Sequence, residues 1–171
     1  MEKWDLVDKK GLPVNITWDR SRHNEIPNGF YHPCVEVWVK IGDKLLITQR
    51  HPEKSDPLKF DLPGGAVVAG EDVLTGAIRE LYEEVGISAT PNSLVKLGER
   101  AMGKVYAVSY MLYLDELPAL RLQETEVVGY KLVSKDEFEA LSSEVTRGTH
   151  HRYSLYQDQI FKKGAESKAF N

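Results

Sequence analysis

The chain has a single cysteine, Cys34, in 171 residues. One thiol excludes any intrachain disulfide, so packing must hold the fold, and the composition suits a reducing compartment. Long apolar runs are missing as well. The longest largely apolar stretch, Val105 to Leu114, has 10 residues, against the roughly 20 that a spanning helix needs. The N-terminus, Met1-Glu2-Lys3-Trp4-Asp5, lacks a basic segment followed by an apolar run, so no signal peptide is read there. Nor is there an excess of positive charge: 22 Lys and Arg face 26 Asp and Glu, a formal net charge of −4. That balance gives a nucleic-acid polymer no electrostatic footprint. The expectation is a soluble, cytoplasmic protein with no membrane or nucleic-acid partner. Internal repeats, linkers and low-complexity tracts are also lacking, and the length is that of one domain.

What the chain does contain is an alternation of strand and helix periods. Trp4 to Val7 reads as a short strand, turned at Asp8-Lys9-Lys10-Gly11, with another over Val14 to Trp18. Ser21 to Tyr31, carrying Pro27, Asn28 and Gly29, reads as loop. Cys34 to Ile41 and Lys44 to Gln49 flank Gly42-Asp43 as the clearest hairpin. A polar loop over His51 to Lys59 leads to Phe60 to Leu62, after which Pro63-Gly64-Gly65 must be irregular. Glu71 to Val85 is the strongest helix, with Leu74, Ala77, Ile78, Leu81 and Val85 on one stripe. Gly86 stands where a left-handed stop is wanted. Leu94 to Leu114 reads as two strands broken near Ala101-Met102-Gly103, and Glu126 to Val133 as another. Ser134 and Glu137 form a capping box for a short helix through Leu141. Tyr153 to Lys163 reads as a last amphipathic helix, and 164–171 as a frayed tail. The mixture predicts an α/β or α+β domain.

The chemistry gathers on the strongest helix. Glu80, Glu83 and Glu84 stand at i, i+3 and i+4, which at ~100° per residue confines three carboxylates to an arc of roughly 100°. Gly76, one turn earlier, lies under the same face and leaves room there. Carboxylates this close repel one another, so a cation should sit among them. Oxygen-only ligands favour Mg2+, Mn2+ or Ca2+ over zinc. Mg2+ binds few carboxylates plus waters and substrate phosphates, which suits a phosphate-anhydride reaction. Alone, the cluster favours a solvated acidic face, since such clusters are common on surfaces. The Gly-rich loop entering the helix and Arg79 beside the cluster weigh against that reading.

With these residues in place, Gly65 to Ile87 resembles the box of the Nudix hydrolases, G-x5-E-x7-R-E-U-x-E-E-x-G-U, where U is a bulky aliphatic residue. Gly65, Glu71, Arg79, Glu80, Leu81, Glu83, Glu84, Gly86 and Ile87 fill every specified position. The resemblance runs from about Cys34 to Leu141. It implies an α/β/α sandwich around a mixed β-sheet, with an N-terminal extension over 1–33 and the Nudix domain over 34–163. It implies a Mg2+-dependent hydrolase, with Mn2+ as a substitute, that cleaves a diphosphate linkage in a small nucleoside diphosphate derivative. By position, Glu83 and Glu84 are implied as metal ligands, Glu80 as a ligand or water-orienting carboxylate, and the Gly65 carbonyl as a further ligand. Glu71 and Arg79 are implied as the ion pair that locks loop to helix. In-line attack by a metal-activated water follows. The general base is open between Glu126, Glu124 and a box glutamate, with Glu126 the first candidate outside the box and an exposed loop acid its alternative reading.

Other residues carry weaker readings. Arg50 is a candidate phosphate contact or a surface ion pair. Trp38, Phe60, Tyr106 and Tyr110 are candidates for base stacking, with core packing the stronger reading. Cys34 reads as a small core residue, since no activating partner is evident. Two rival functions stand beside the main one. Trp4 to Asp8 and His32-Pro33-Cys34-Val35 resemble the early part of isopentenyl diphosphate isomerases, which share the fold. Against that, Gly64 and Ala66 replace a cysteine and a histidine used there, and Val105 to Leu114 has no carboxylate. The other rival is a non-catalytic ligand-binding module, yet no box glutamate is lost. A proline that marks ADP-ribose-type relatives is absent from Ala101-Met102-Gly103-Lys104. The first 33 residues are expected to cover the site or to build a homodimer contact.

Overall fold

The computed structural model describes residues 1–162. Its strands are β1 (Lys3–Val7), β2 (Pro13–Asp19), β3 (His32–Ile41), β4 (Lys44–Arg50), β5 (Phe60–Asp61), β6 (Gly64–Ala66), β7 (Leu94–Met102), β8 (Val105–Leu114) and β9 (Val127–Val133). Its helices are α1 (Val73–Val85), α2 (Lys135–Ala140) and α3 (Arg147–Ile160). The main sheet runs β5-β4-β3-β8-β7, with β6 also paired to β3 and β9 to β4. β3 and β8 are parallel from His32↔Val105 to Ile41↔Leu114, whereas the other pairs are antiparallel, so the sheet is mixed.

Alternation along β3 divides the core. Val35, Val37 and Val39 join Ala77, Leu81 and Val85 of α1 in one buried cluster. Trp38 faces the other way, with Met111, Phe138 of α2 and Tyr153 and Ile160 of α3. This is the expected sandwich, with α1 against one face and α2 and α3 against the other. Trp38, Phe60, Tyr106 and Tyr110 are all buried, so their core reading holds. Among the described residues, no helix is long and apolar enough to cross a membrane.

Helix α1 owes its limits to its ends. The Asp72 side chain accepts from the Leu74 and Thr75 amides at 3.0 Å each, so the helix begins at Val73 and Glu71 lies before it. Gly86 ends it in a left-handed conformation, φ 75°, as its position implied.

Four stretches differ from the sequence reading. Arg20–Glu25, read mostly as loop, forms a 3-10 turn. β3 starts at His32 rather than Cys34. Gly64–Ala66, read as irregular, pairs with β3 through Glu36↔Gly64 and Cys34↔Ala66; glycine carries no strand signal, and only its lack of a side chain admits this approach. α3 begins at Arg147, well before Tyr153, capped by Thr146. Its first turns are polar and show no apolar stripe. It ends at Ile160, with Phe161 as its C-cap, short of the expected end at Lys163; Lys163 itself and the tail over 164–171 lie outside the described residues.

β1 and β2 form a separate two-stranded sheet. The hairpin is fastened to the segment that enters α1: the Ala69 amide donates to the Lys3 carbonyl and the Gly70 amide to Asp5 Oδ2, both at 2.8 Å. Beneath it, Trp4, Leu6 and Ile26 form a small core against Ala66.

Candidate active site

Strand β6 carries the close approach on which the site depends. A Cβ on Gly64 would collide with the Val35 carbonyl oxygen, and one on Gly65 would lie 2.5 Å from the Glu80 carboxyl carbon. Glycine at 65 therefore lets the backbone come to rest against the carboxylate row of α1.

Arg79 ties the row together. Its Nε and Nη2 donate to the two oxygens of Glu71, both at 2.9 Å, and Nη2 also to the Ala66 carbonyl at 2.9 Å. Its Nη1 donates to Glu80 at 2.8 Å and to Glu83 at 3.1 Å. The expected Arg79–Glu71 pair is present and joins β6, the α1 entry and the acidic face. Glu71 also accepts from the Val68 amide at 3.2 Å. The hydrogen bonds from Arg79 to these carboxylates push the guanidinium pKa above its usual value. Gly76 does not make room for the acidic face as expected. A Cβ there would meet Glu71 and Val67, each at 3.1 Å, so the glycine makes room for the ion pair.

Glu84 is the most enclosed of the row, 5% exposed. Burial drives its carboxyl up to about 8, against the opposing pull of Lys54 and of the Gly64 amide, which donates to it at 3.1 Å. Burial also raises Glu80, with Arg79 opposing. Both shifts have the same origin: a carboxylate withdrawn from water prefers its neutral form unless a cation compensates. Glu83 is half-exposed.

Glu126 arrives from outside the helix. The Gln123 amide donates to the Glu84 carbonyl at 3.0 Å, and the Glu126 amide to the Gln123 carbonyl at 2.8 Å. The end of α1 thus holds the segment that precedes β9. Glu80, Glu83, Glu84 and Glu126, with Gly64, Gly65 and Arg79, line one cavity of about 580 Å3. Glu124 is exposed and lies outside that lining.

Sequence reasoning did not name the residues of two contributors. Lys54, from the connection between β4 and β5, forms a close ion pair with Glu126 and stands 3.8 Å from Glu84. The N-terminal hairpin and the turn after it bring Glu2, Trp4, Arg20 and His23 to the wall of the same cavity. Lys54 lies in no periodic segment or motif; for the first 33 residues, expected as a cover for the site or a dimer contact, only the fold picks out which side chains line the cavity. Arg50, read as a candidate phosphate contact or an ion pair, forms an ion pair with Asp61 and braces a loop. Its guanidinium donates to Asp61 at 2.9 Å and to the carbonyl and hydroxyl of Ser55 at 2.7 and 3.0 Å. These partners take three of its five N–H donors.

His32 stacks on Trp4 with centroids 4.0 Å apart and 17° between planes. Burial holds its pKa down to about 4, so the ring is neutral at physiological pH. Its Nδ1 lies 3.4 Å from Cys34 Sγ. Burial pushes that thiol up to about 12, which agrees with an unreactive cysteine.

The donor set fits a hard divalent cation. All the candidates are oxygens: three carboxylates of α1 and the Gly65 carbonyl. The bare backbone at Gly65 is the cradle that a side chain would fill. As the side chains stand, no three acidic, imidazole or thiol groups converge to ligand distance among the described residues. Their oxygens are turned onto Arg79 and Lys54.

Comparison with known proteins agrees with this geometry. The chain is 32% identical over 136 residues to an uncharacterised Nudix hydrolase of Clostridium acetobutylicum, covering 69% of this chain and 64% of that one. It therefore spans just under two thirds of that relative's length. Among solved structures, DR0079 from Deinococcus radiodurans superposes with a TM-score of 0.73 at 19% identity, covering 91% of this chain and 99% of that one. A bifunctional NMN adenylyltransferase/ADP ribose pyrophosphatase from Francisella tularensis, solved with AMP and a Mn ion, gives a TM-score of 0.65 at 19% identity. It covers 76% of this chain and 42% of that one. At such identities the two structures speak for the fold alone. The family model for the NUDIX domain matches residues 30–158, which hold β3 through most of α3 and the whole carboxylate row, and the chain belongs to the Nudix family.

Proposed function

We propose that the protein is a metal-dependent pyrophosphohydrolase acting on the diphosphate linkage of a small nucleoside diphosphate derivative. The observation that carries this reading is the convergence of Glu80, Glu83, Glu84 and Glu126 on one cavity beside the Gly65 backbone. Glu83, Glu84 and the Gly65 carbonyl would hold Mg2+, with Mn2+ as a substitute, and Glu80 would bind it or orient water. When bound, the cation supplies Lewis acidity and offsets the phosphate charge.

The remaining work belongs to the chain's own groups. Glu126 would accept the proton of an attacking water as general base, a role supported by its place in the cavity lining. Arg79 holds Glu71, Glu80 and Glu83 in register with β6. The hairpin wall contributes Arg20, Glu2 and His23, so the part of the substrate beyond the diphosphate meets charged and hydrogen-bonding groups. That lining favours a hydrophilic moiety, such as a nucleoside or sugar, over a prenyl chain. It also favours the N-terminal hairpin as a cover for the site over a homodimer contact. A cytoplasmic setting belongs to the same proposal and is supported by the lone cysteine.

The test is a hydrolysis screen with Mg2+ and Mn2+. Its arms are nucleoside di- and triphosphates, nucleotide sugars, dinucleoside polyphosphates and isoprenoid diphosphates, with E84Q as control. Turnover of a nucleoside diphosphate derivative that E84Q loses is the expected result. Turnover of isopentenyl diphosphate to its isomer, or no turnover in any arm, contradicts the reading.

A further inference from the structure

The connection 51–59 between β4 and β5 is ordered to an extent that its polar sequence does not explain. Arg50 fastens Ser55 through two donors, and the Gln49 side chain donates to the Leu58 carbonyl at 3.0 Å. The Arg50 amide donates to the Lys59 carbonyl and the Lys54 amide to the His51 carbonyl, both at 3.0 Å. Asp56 and Leu58 both take left-handed backbone, φ 51° and 61°, a conformation that costs a residue with a side chain. The loop is also joined to the site itself, because the His51 amide donates to the Glu126 carbonyl at 2.9 Å.

This bracing delivers one ammonium group. Lys54 Nζ forms its close pair with Glu126 Oε2 and lies 3.8 Å from Glu84 Oε1. Its side chain is only 26% exposed, and Glu84 only 7%. A lysine on an open surface gains little from such a pair after its rotamer entropy is spent. A lysine on a braced loop has its backbone fixed in advance, so only its side-chain rotamers remain to be ordered, and the carboxylate it meets is enclosed rather than solvated.

We propose that Lys54 is the built-in counter-cation of the site. Its ammonium holds Glu84 and Glu126 in place before metal loading, and the divalent ion must displace it. Lys54 is thus a positioning residue that sets metal affinity. The proposal rests on the reading of Glu84 as a metal ligand. A monovalent and a divalent cation cannot both stay within about 4 Å of one carboxylate without strong mutual repulsion. Binding of the metal therefore includes the cost of moving Lys54 away.

The test uses the full chain without substrate. Mn2+ affinity is read from the free-ion electron paramagnetic resonance signal for wild type, K54M, K54Q, K54R, E84Q and R20M. Arg20 lines the same cavity but pairs with Glu2 rather than with the box acids, so R20M controls for a general change in charge. The expected result is about tenfold tighter binding in K54M and K54Q, with K54R near wild type and R20M changed less than threefold. A second readout needs no variant. Acetylation of Lys54 in the wild-type protein, followed by mass spectrometry, should be slow alone and faster with saturating Mg2+. Unchanged or weaker Mn2+ binding in both lysine variants, or slower acetylation of Lys54 with Mg2+, overturns the proposal while E84Q still loses the ion. Wild type and E84Q that both fail to bind Mn2+ overturn the ligand reading, and this proposal with it.

Discussion

Arg79→Ala is the substitution whose effect follows most directly from the structure. Its guanidinium holds Glu71 with two hydrogen bonds and reaches Glu80, Glu83 and the Ala66 carbonyl with the rest. Removal leaves Glu71, whose side chain is only 10% exposed, without its counter-charge. Stripping one partner from a buried ion pair costs about 3–5 kcal/mol. The Arg79 side chain is 26% exposed, so solvent screens part of this, and about 2–4 kcal/mol remains. For a chain of this length that corresponds to a fall in Tm of roughly 5–15 °C. Arg79→Lys should recover less than half, because an ammonium cannot reproduce the planar two-pronged contact with Glu71. The assay is thermal and urea unfolding of wild type, R79A, R79K, E71Q and E71Q/R79A. The double variant should show a coupling of about 1 kcal/mol or more between the two sites. A Tm for R79A within about 2 °C of wild type, or additive single effects, would refute the view that this pair locks β6 to α1.

Other expectations concern single groups. Glu126→Gln should slow turnover about 10²-fold or more with little effect on Mn2+ binding; an unchanged rate would reassign the base. Gly86→Val should lower Tm, since φ is 75° and a Cβ would lie 3.0 Å from Arg121 Cβ; unchanged melting would contradict this. His32 sets a pH dependence of stability. Its folded pKa is about 4 against the ordinary 6.5 of a solvated imidazole, so between those values the unfolded chain binds more protons. Stability is then complete above about pH 6.5 and falls as pH drops toward 4, by up to about 3 kcal/mol. His32→Gln should flatten that limb in urea unfolding measured across pH.

How far the sequence is legible differs from one segment to another. The α1 stripe reads directly because Ala77, Leu81 and Val85 all pack inward. The β3–β4 hairpin reads because Gly42 takes the positive φ, 59°, that its turn needs. The box residues read as chemistry because three acids on one helical arc demand an explanation. The start of α3 does not read, for a physical reason. Its Arg152 turns inward to the buried Glu36, which also accepts from Ser109 and Trp38. Periodicity treats a polar residue as an outward one, and here a buried ion pair reverses that. Strand β6 is hidden because glycine lacks strand character. Lys54 and the hairpin residues are hidden because loops far apart in the chain bring them to the cavity.

The central claim is that the α1 carboxylates and the Gly65 backbone together hold a divalent ion. Anomalous scattering from Mn2+ in crystals of the full chain tests it most directly. The account predicts a peak at about 2.0–2.2 Å from oxygens of Glu83, Glu84 and the Gly65 carbonyl, with those side chains drawn away from Arg79 and Lys54. A peak elsewhere, or saturating Mn2+ with Glu83 still on Arg79 and Glu84 still beside Lys54, would contradict it.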